Sequence, residues 1–196
     1  MENQPDAFNR YTGIEFVATK RLSHRWMMNA SFTYQKFIWK FGEKGYLDPT
    51  NVAMWEGGAD SNLNANWIAK LSLLYQLPWG FNFSCFANAR QGYANRQRLN
   101  VSTPERAAMG IGGSMNILLE RPGTTRLPNF YSVDLSLVKD IRLGNYGQIS
   151  LQMDVFNALN SAHVLGRNRT VNSPGHGETE VILNPRVIRF GIRYRF

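Results

Sequence analysis

The chain has 196 residues, 43% of them hydrophobic and 13% aromatic, with 22 Lys plus Arg against 14 Asp plus Glu and a formal charge of +8. That length suits one ordinary domain, and the charge calls for an anionic neighbour: nucleic acid, an acidic substrate, or the phosphate-bearing outer leaflet of a bacterial membrane. The single cysteine, Cys85, excludes an internal disulfide framework and a cysteine-built zinc site, and the lack of any run of about 18 apolar residues excludes a spanning helix.

The opening residues Met1 to Asp6 carry acid where a signal peptide carries base, and no apolar run follows. The expectation is a chain whose export signal is not in this sequence. Period-two alternation then recurs in about seven segments of roughly ten residues, the repeat of strands tilted through a bilayer. A weaker first strand is expected from Tyr11 to Lys20. From Trp26 to Ile38 the even positions Trp26, Met28, Ala30, Phe32 and Tyr34 oppose Asn29, Ser31, Thr33 and Gln35. Trp67, Ala69, Leu71, Leu73, Tyr75 and Leu77 oppose Asn66, Lys70, Ser72 and Gln76; Phe81, Phe83, Cys85, Ala87 and Ala89 oppose Asn82, Ser84, Asn88 and Arg90, with Phe86 the exception before Tyr93. Tyr131 to Leu137 and Ile149 to Val155 repeat the pattern, and Ile188, Phe190, Ile192, Tyr194 and Phe196 face away from Arg189, Arg193 and Arg195.

Connections alternate in length. Short ones fall at Arg21 to Arg25, Pro78-Trp79-Gly80 and Gly144-Asn145-Tyr146, and long ones at about Gly42 to Ala65, Ala94 to Phe130 and Ala158 to Pro185. The fold class that follows is all-β: an antiparallel up-and-down transmembrane β-barrel segment of about seven strands, with short periplasmic turns and long extracellular loops. Residues 1–196 read as a single partial barrel domain, the C-terminal part of a larger barrel, with signal peptide and plug absent. Aromatics at strand ends, Trp26, Trp67, Tyr75, Trp79, Phe81 and Tyr93, stand where interfacial girdles belong. The competing reading is a soluble or surface β-sandwich binding module, adhesin-like or anionic-ligand binding, which also alternates. Its turns, however, come every 8 to 12 residues or so.

The final run Arg189-Phe190-Gly191-Ile192-Arg193-Tyr194-Arg195-Phe196 resembles the terminal assembly signal of outer-membrane barrels, with Arg189, Gly191, Tyr194 and Phe196 at its four positions. An exposed edge strand is a template for pairing, so the barrel-assembly machinery is the implied partner, holding the strand by augmentation with pockets for alternate side chains. Two further stretches, Tyr11 to Leu22 leading into Trp26 to Tyr34, and Asp154-Val155-Phe156-Asn157-Ala158-Leu159-Asn160, resemble the TonB-dependent receptor family, in particular its large-barrel members with an N-terminal carboxypeptidase-regulatory-like domain. The resemblance implies a 22-stranded barrel with a plug, energised uptake of a scarce ligand, a Gram-negative outer-membrane location, and a TonB-type periplasmic partner acting through the rest of the receptor.

With the apolar face turned to lipid, Arg189, Arg193, Arg195, Asp134 and Asp154 face the lumen, where pairing of opposite charges is the expectation. Arg96, Arg98, Arg106, Arg121 and Arg126 lie in a long outer loop and are candidate contacts for lipopolysaccharide phosphates. A nucleic-acid binder would gather its arginines and aromatics on one face; here they take opposite faces of the same strands, so no nucleic-acid partner is expected. His24, His163 and His176 read as solvated loop residues without zinc spacing. No motif sets a nucleophile beside a base. The chain is expected to be neither an enzyme nor a holder of metal or cofactor.

Overall fold

The computed structural model describes residues 7–41, 65–102, 104, 108, 110, 114–120 and 123–196. Its strands are β1 (Ala7–Ser23), β2 (Trp26–Phe41), β3 (Trp67–Gln76), β4 (Phe81–Arg90), β5 (Arg98–Val101), β6 (Met115–Leu118), β7 (Phe130–Arg142), β8 (Gln148–Phe156), β9 (Val164–Arg167), β10 (Thr179–Ile182) and β11 (Val187–Arg195). Seven of them form one antiparallel sheet in the order β1-β2-β3-β4-β7-β8-β11, so each long strand pairs with the long strand that follows it. β5 with β6, and β9 with β10, make two separate small sheets.

Side chains alternate across a strand, so matched parity at every seam keeps the apolar set on one side. The register does this throughout. One row of partners runs Met28–Leu73–Cys85–Leu135–Val155–Ile188, and the next runs Trp26–Tyr75–Phe83–Leu137–Met153–Phe190. β1 joins the same side through Ile14 opposite Tyr34 and Phe16 opposite Phe32. The result is an unbroken apolar face across all seven strands.

That face is uncovered. On interior strands, where neighbours are present on both sides, Phe32 is 40%, Tyr75 41% and Leu151 40% exposed. The buried hydrophobic residues among those described are Ala65, Ala94, Leu118 and Leu127, none of them a side chain of the seven-stranded sheet. No second sheet lies over the apolar face among the described residues. Exposing this much contiguous apolar surface to water is untenable for a monomeric soluble protein, whose largest patch is roughly 300–600 Å².

The short turns use left-handed backbone. His24 and Arg25 have φ of 51° and 69°, the two positive angles of the hairpin turn whose twist suits flanking strands. In the second turn Trp79 and Gly80 have φ of 58° and 78°, and Leu77 N–H donates to Phe81 O at 2.8 Å. A Cβ on Gly80 would also stand 2.8 Å from Asp140 O. A left-handed non-glycine residue costs about 1–2 kcal/mol, so the double change His24→Asn with Arg25→Gly is expected to stabilise the protein by about 1 kcal/mol. The backbone bond from Gln76 N to Arg25 O survives it. The check is the urea midpoint for loss of the heat-modifiable form in detergent; a lower midpoint would count against this account of the turn.

Three features differ from the sequence reading. β1 runs from Ala7 to Ser23, beyond the expected Tyr11 to Lys20 at both ends, and pairs with β2 along that length with one register shift between Lys20 and Ser23, because cross-strand pairs such as Phe16–Phe32 support positions that Gly13 and Glu15 obscure in the sequence. β4 ends at Arg90 and not at Tyr93, because Gly92 is pressed so close to Leu127 O that a Cβ there would be 1.7 Å away. The long loops after β4 and β8 each carry a hairpin, β5–β6 and β9–β10, too short to show as alternation. The long connection expected at 42–65 lies, apart from its last residue, outside the described residues.

Candidate functional site

Opposite the apolar face lies a polar wall whose charges are organised by register. Asp154 stands between Ser136 on β7 and Arg189 on β11. Its Oδ1 accepts from Ser136 Oγ at 2.7 Å, Gln152 Nε2 reaches both oxygens at 2.9 and 3.0 Å, and Arg189 Nε and Nη2 donate to Oδ2 at 3.0 and 2.7 Å. A buried carboxylate is tolerated when its lone pairs are met in this way. Nearer the turns, Asp140 accepts from Ser150 Oγ at 2.6 Å and Asn82 Nδ2 at 3.1 Å. Arg193 and Arg195, with Asp140, Gln148, Ser150 and Arg189, line a concavity of about 450 Å³ on this wall. Asp134 meets no arginine among the described residues; its Oδ1 accepts the backbone N–H of Asn157 at 2.8 Å.

The Asp154 to Asn160 stretch joins wall to loops. Asn157 is buried, with φ 48°, a conformation that Asn adopts more readily than most residues. Its Nδ2 donates to Asn184 O at 2.8 Å and Ser161 O at 3.0 Å, and its Oδ1 accepts from Ser161 N–H and Oγ, each at 3.1 Å. Ala158 N–H donates to Val133 O on β7, and Asn160 Oδ1 accepts from Arg186 N–H. The Asn157 side chain thus ties the outgoing chain after β8 to the returning chain before β11, and the backbone N–H groups of Asn157 and Ala158 fasten both to the start of β7.

Beyond that knot the two described long loops form a crown. Arg98 N–H donates to Arg169 O at 2.9 Å, Val171 N–H to Arg98 O at 2.8 Å, and Arg98 Nε to Thr170 Oγ1 at 3.2 Å. Asn100 and Asn172 bond each other through side chain and backbone. Of the candidate phosphate-binding arginines, Arg96 is 6% exposed, Arg98 is engaged with Thr170, and Arg126 Nη1 donates to Gly92 O. These three sit within the crown's framework; Arg106 and Arg121 lie outside the described residues.

Trp26, Tyr75, Trp79 and Phe81 gather at the turn end of the sheet and Trp67 at the loop end. Lys20 Nζ lies 4.2 Å from the Trp26 ring and Lys139 Nζ 4.5 Å from that of Phe81, while Lys139 also donates to Trp79 O. Tyr146, exposed in the turn before β8, belongs with them and was missed because no alternation passes through a turn. Tyr93 differs from its expected girdle place: its ring packs on Arg90, 4.3 Å away, which faces the polar wall. His163 is not solvated either. It lies edge-on to Tyr131 at 4.1 Å between centroids, with Nε2 buried. In the last strand Gly191 faces Gln152, Tyr194 donates to Tyr146 O, and Phe196 is fully exposed.

No family model matches the sequence, and no curated protein matches it. Solved structures do. The ferripyoverdine receptor of the outer membrane of Pseudomonas aeruginosa is 14% identical with a TM-score of 0.54, over 95% of this chain and 19% of that one. The ferric-catecholate import receptor Fiu from E. coli K12 is 15% identical with a TM-score of 0.57, over 95% and 21%. A chain of the FpvAI–pyocin S2 complex is 12% identical with a TM-score of 0.55, over 96% and 19%. The chain spans about a fifth of the length of these structures, and the likeness is one of fold.

Proposed function

We propose that the chain is a stretch of the transmembrane wall and outer loops of a TonB-dependent receptor in a Gram-negative outer membrane, serving energised uptake of a scarce ligand. The uncovered apolar face carries this reading: the sheet is apolar toward one side over all seven strands, and the buried apolar residues described stand outside it. Lipid is the cover that such a face fits. The polar wall then faces the lumen, the turns face the periplasm and the crown faces outward. The fold shared with two import or siderophore receptors supports the transport class.

Strand direction constrains what completes the wall. Seven antiparallel neighbours leave β1 and β11 running the same way, so closure by antiparallel pairing needs an odd number of further strands. A second copy joined edge to edge about a membrane-normal axis would pair parallel and does not meet that need. The remaining strands, and a plug to fill the lumen, belong on this reading to the same receptor, with a TonB-type protein acting from the periplasm.

The test is assembly in the membrane. Heat-modifiable, surface-protease-accessible protein is expected in outer-membrane fractions, and deleting Phe196 or changing Tyr194→Ala should reduce it several-fold, because both lie on the outward face of an edge strand read by the assembly machinery. Arg195→Gln, on the inner face, should leave it near normal. Undiminished assembly without Phe196 would remove the terminal signal. A monodisperse, cooperatively unfolding monomer of this chain in plain buffer would overturn the wall in favour of the sandwich.

A further inference from the structure

Strands β3 and β4 lie inside the sheet with both neighbours present, so the cross-strand positions that flank their inward side chains are among the described residues. On the inner wall near the loop end, Lys70 stands opposite Asn88, and Arg90 follows on the same face two residues on. The Arg90 guanidinium is laid over the Tyr93 ring and makes only long contacts, 3.4 Å to Gln91 O and 3.5 Å to the Tyr93 hydroxyl. Its Nη2 is buried without a hydrogen-bond partner, as is Asn88 Oδ1. Lys70 is exposed, and the ion pair found among the described residues, Arg189 with Asp154, does not involve it.

No carboxylate stands in the facing positions. Across from Lys70 and Ile68 are Ser31 and Thr33 on β2, and across from Asn88 and Arg90 are Ser132 and Phe130 on β7. The carboxylate next along β7, Asp134, is opposite Phe86 and is occupied by the Asn157 N–H. Diagonal neighbours on adjacent strands are roughly 7–8 Å apart at Cα, a spacing that lets an ammonium and a guanidinium meet on one small anion. Two like charges and an unpartnered buried donor are unfavourable unless something compensates them.

We propose that Lys70, Asn88 and Arg90 form an oxyanion subsite on the inner wall, taking a carboxylate, phosphate or sulfonate group of a ligand that enters from the loop side. The inference rests on the proposed reading of this face as the lumen. Arg90 supplies a planar fork held by Tyr93, Lys70 a mobile point charge, and Asn88, whose side-chain amide can be turned, an N–H donor between them.

The experiment follows acylation of Lys70 by a water-soluble amine reagent, read by mass spectrometry on the full-length protein in phospholipid vesicles free of lipopolysaccharide. Inorganic phosphate is the probe and chloride at matched ionic strength the reference. Phosphate should slow Lys70 labelling about tenfold and leave Lys36, exposed on the outer face, unchanged; Arg90→Gln should abolish most of the protection. Equal labelling with and without phosphate where lipopolysaccharide gives no protection either, protection shared by Lys36, or protection undiminished in Arg90→Gln would overturn the subsite. Protection found only with lipopolysaccharide present, and absent with phosphate, would overturn the soluble-ligand source in favour of a lipid phosphate. Heat modifiability of the same sample separates the two failures: without it the wall reading falls, and with it but no protection only the subsite falls.

Discussion

Asn157→Asp is expected to destabilise the assembled protein by about 3–5 kcal/mol, the range for leaving a buried charge uncompensated. The side chain is buried, and its Nδ2 donates to Asn184 O and Ser161 O at 2.8 and 3.0 Å. A carboxylate would aim an oxygen at those two carbonyls, beside Asp134, whose Oδ1 is 2.8 Å from the Asn157 nitrogen. Asn157→Gly separates backbone from side chain: glycine keeps the φ of 48° without strain, and the loss of the amide should still cost about 2 kcal/mol through the unsatisfied carbonyls. The measurements are the urea midpoint for loss of the heat-modifiable form and protease cutting within 157–186. Wild-type values in Asn157→Asp would show that the knot does not hold the crown to the wall.

Leu71→Arg is expected to cost about 2–4 kcal/mol, the value for arginine on the lipid face near the bilayer midplane. Leu71 is midway along β3 between Trp67 and Tyr75 and faces outward in register with Ala30 and Ala87. Ser72→Arg, one residue on, faces the polar wall between Asn29 and Phe86 and should cost well under 1 kcal/mol. The pair shares a strand and a depth and differs in facing alone. Equal penalties, read from the same denaturation midpoint in lipid, would show that the outward and inward faces are assigned the wrong way or that neither meets lipid.

The wall was legible because alternation is a local property: Trp67 to Leu77 declares its two faces without knowledge of a partner, and parity at Leu77 and Phe81 then sets the seam. Facing alone put three arginines of β11 on one side with Asp134 and Asp154, while the choice of Arg189 with Asp154 came from the β8–β11 register. What hid from sequence reasoning is whatever depends on contacts between distant loops. Asn100 and Asn172 are ordinary polar loop residues until residues 98–101 and 169–172 are laid together. Tyr93 read as a girdle aromatic because it ended an alternating run, yet the chain leaves the sheet at Gly92 and the ring turns inward to Arg90. Asn157 offered a signal, an Asn in a run of strand residues just before Ala-Leu-Asn, but its four-way bonding depends on Asn184 and Ser161 arriving beside it.

The lysine–aromatic pairs at the turn end and the tyrosines at the loop end also fix how tall the greasy band is. On β7 the outward positions run from Tyr131 to Ile141, about 33 Å along the strand at roughly 3.3 Å per residue, which is about 25 Å along the membrane normal at a tilt of about 40°. A bilayer of ordinary thickness, about 30 Å of hydrocarbon, would have to thin around such a band, at a fraction of a kcal/mol for each ångström. Short-chain lipids should therefore host this wall with the least distortion, and long-chain lipids should slow its insertion.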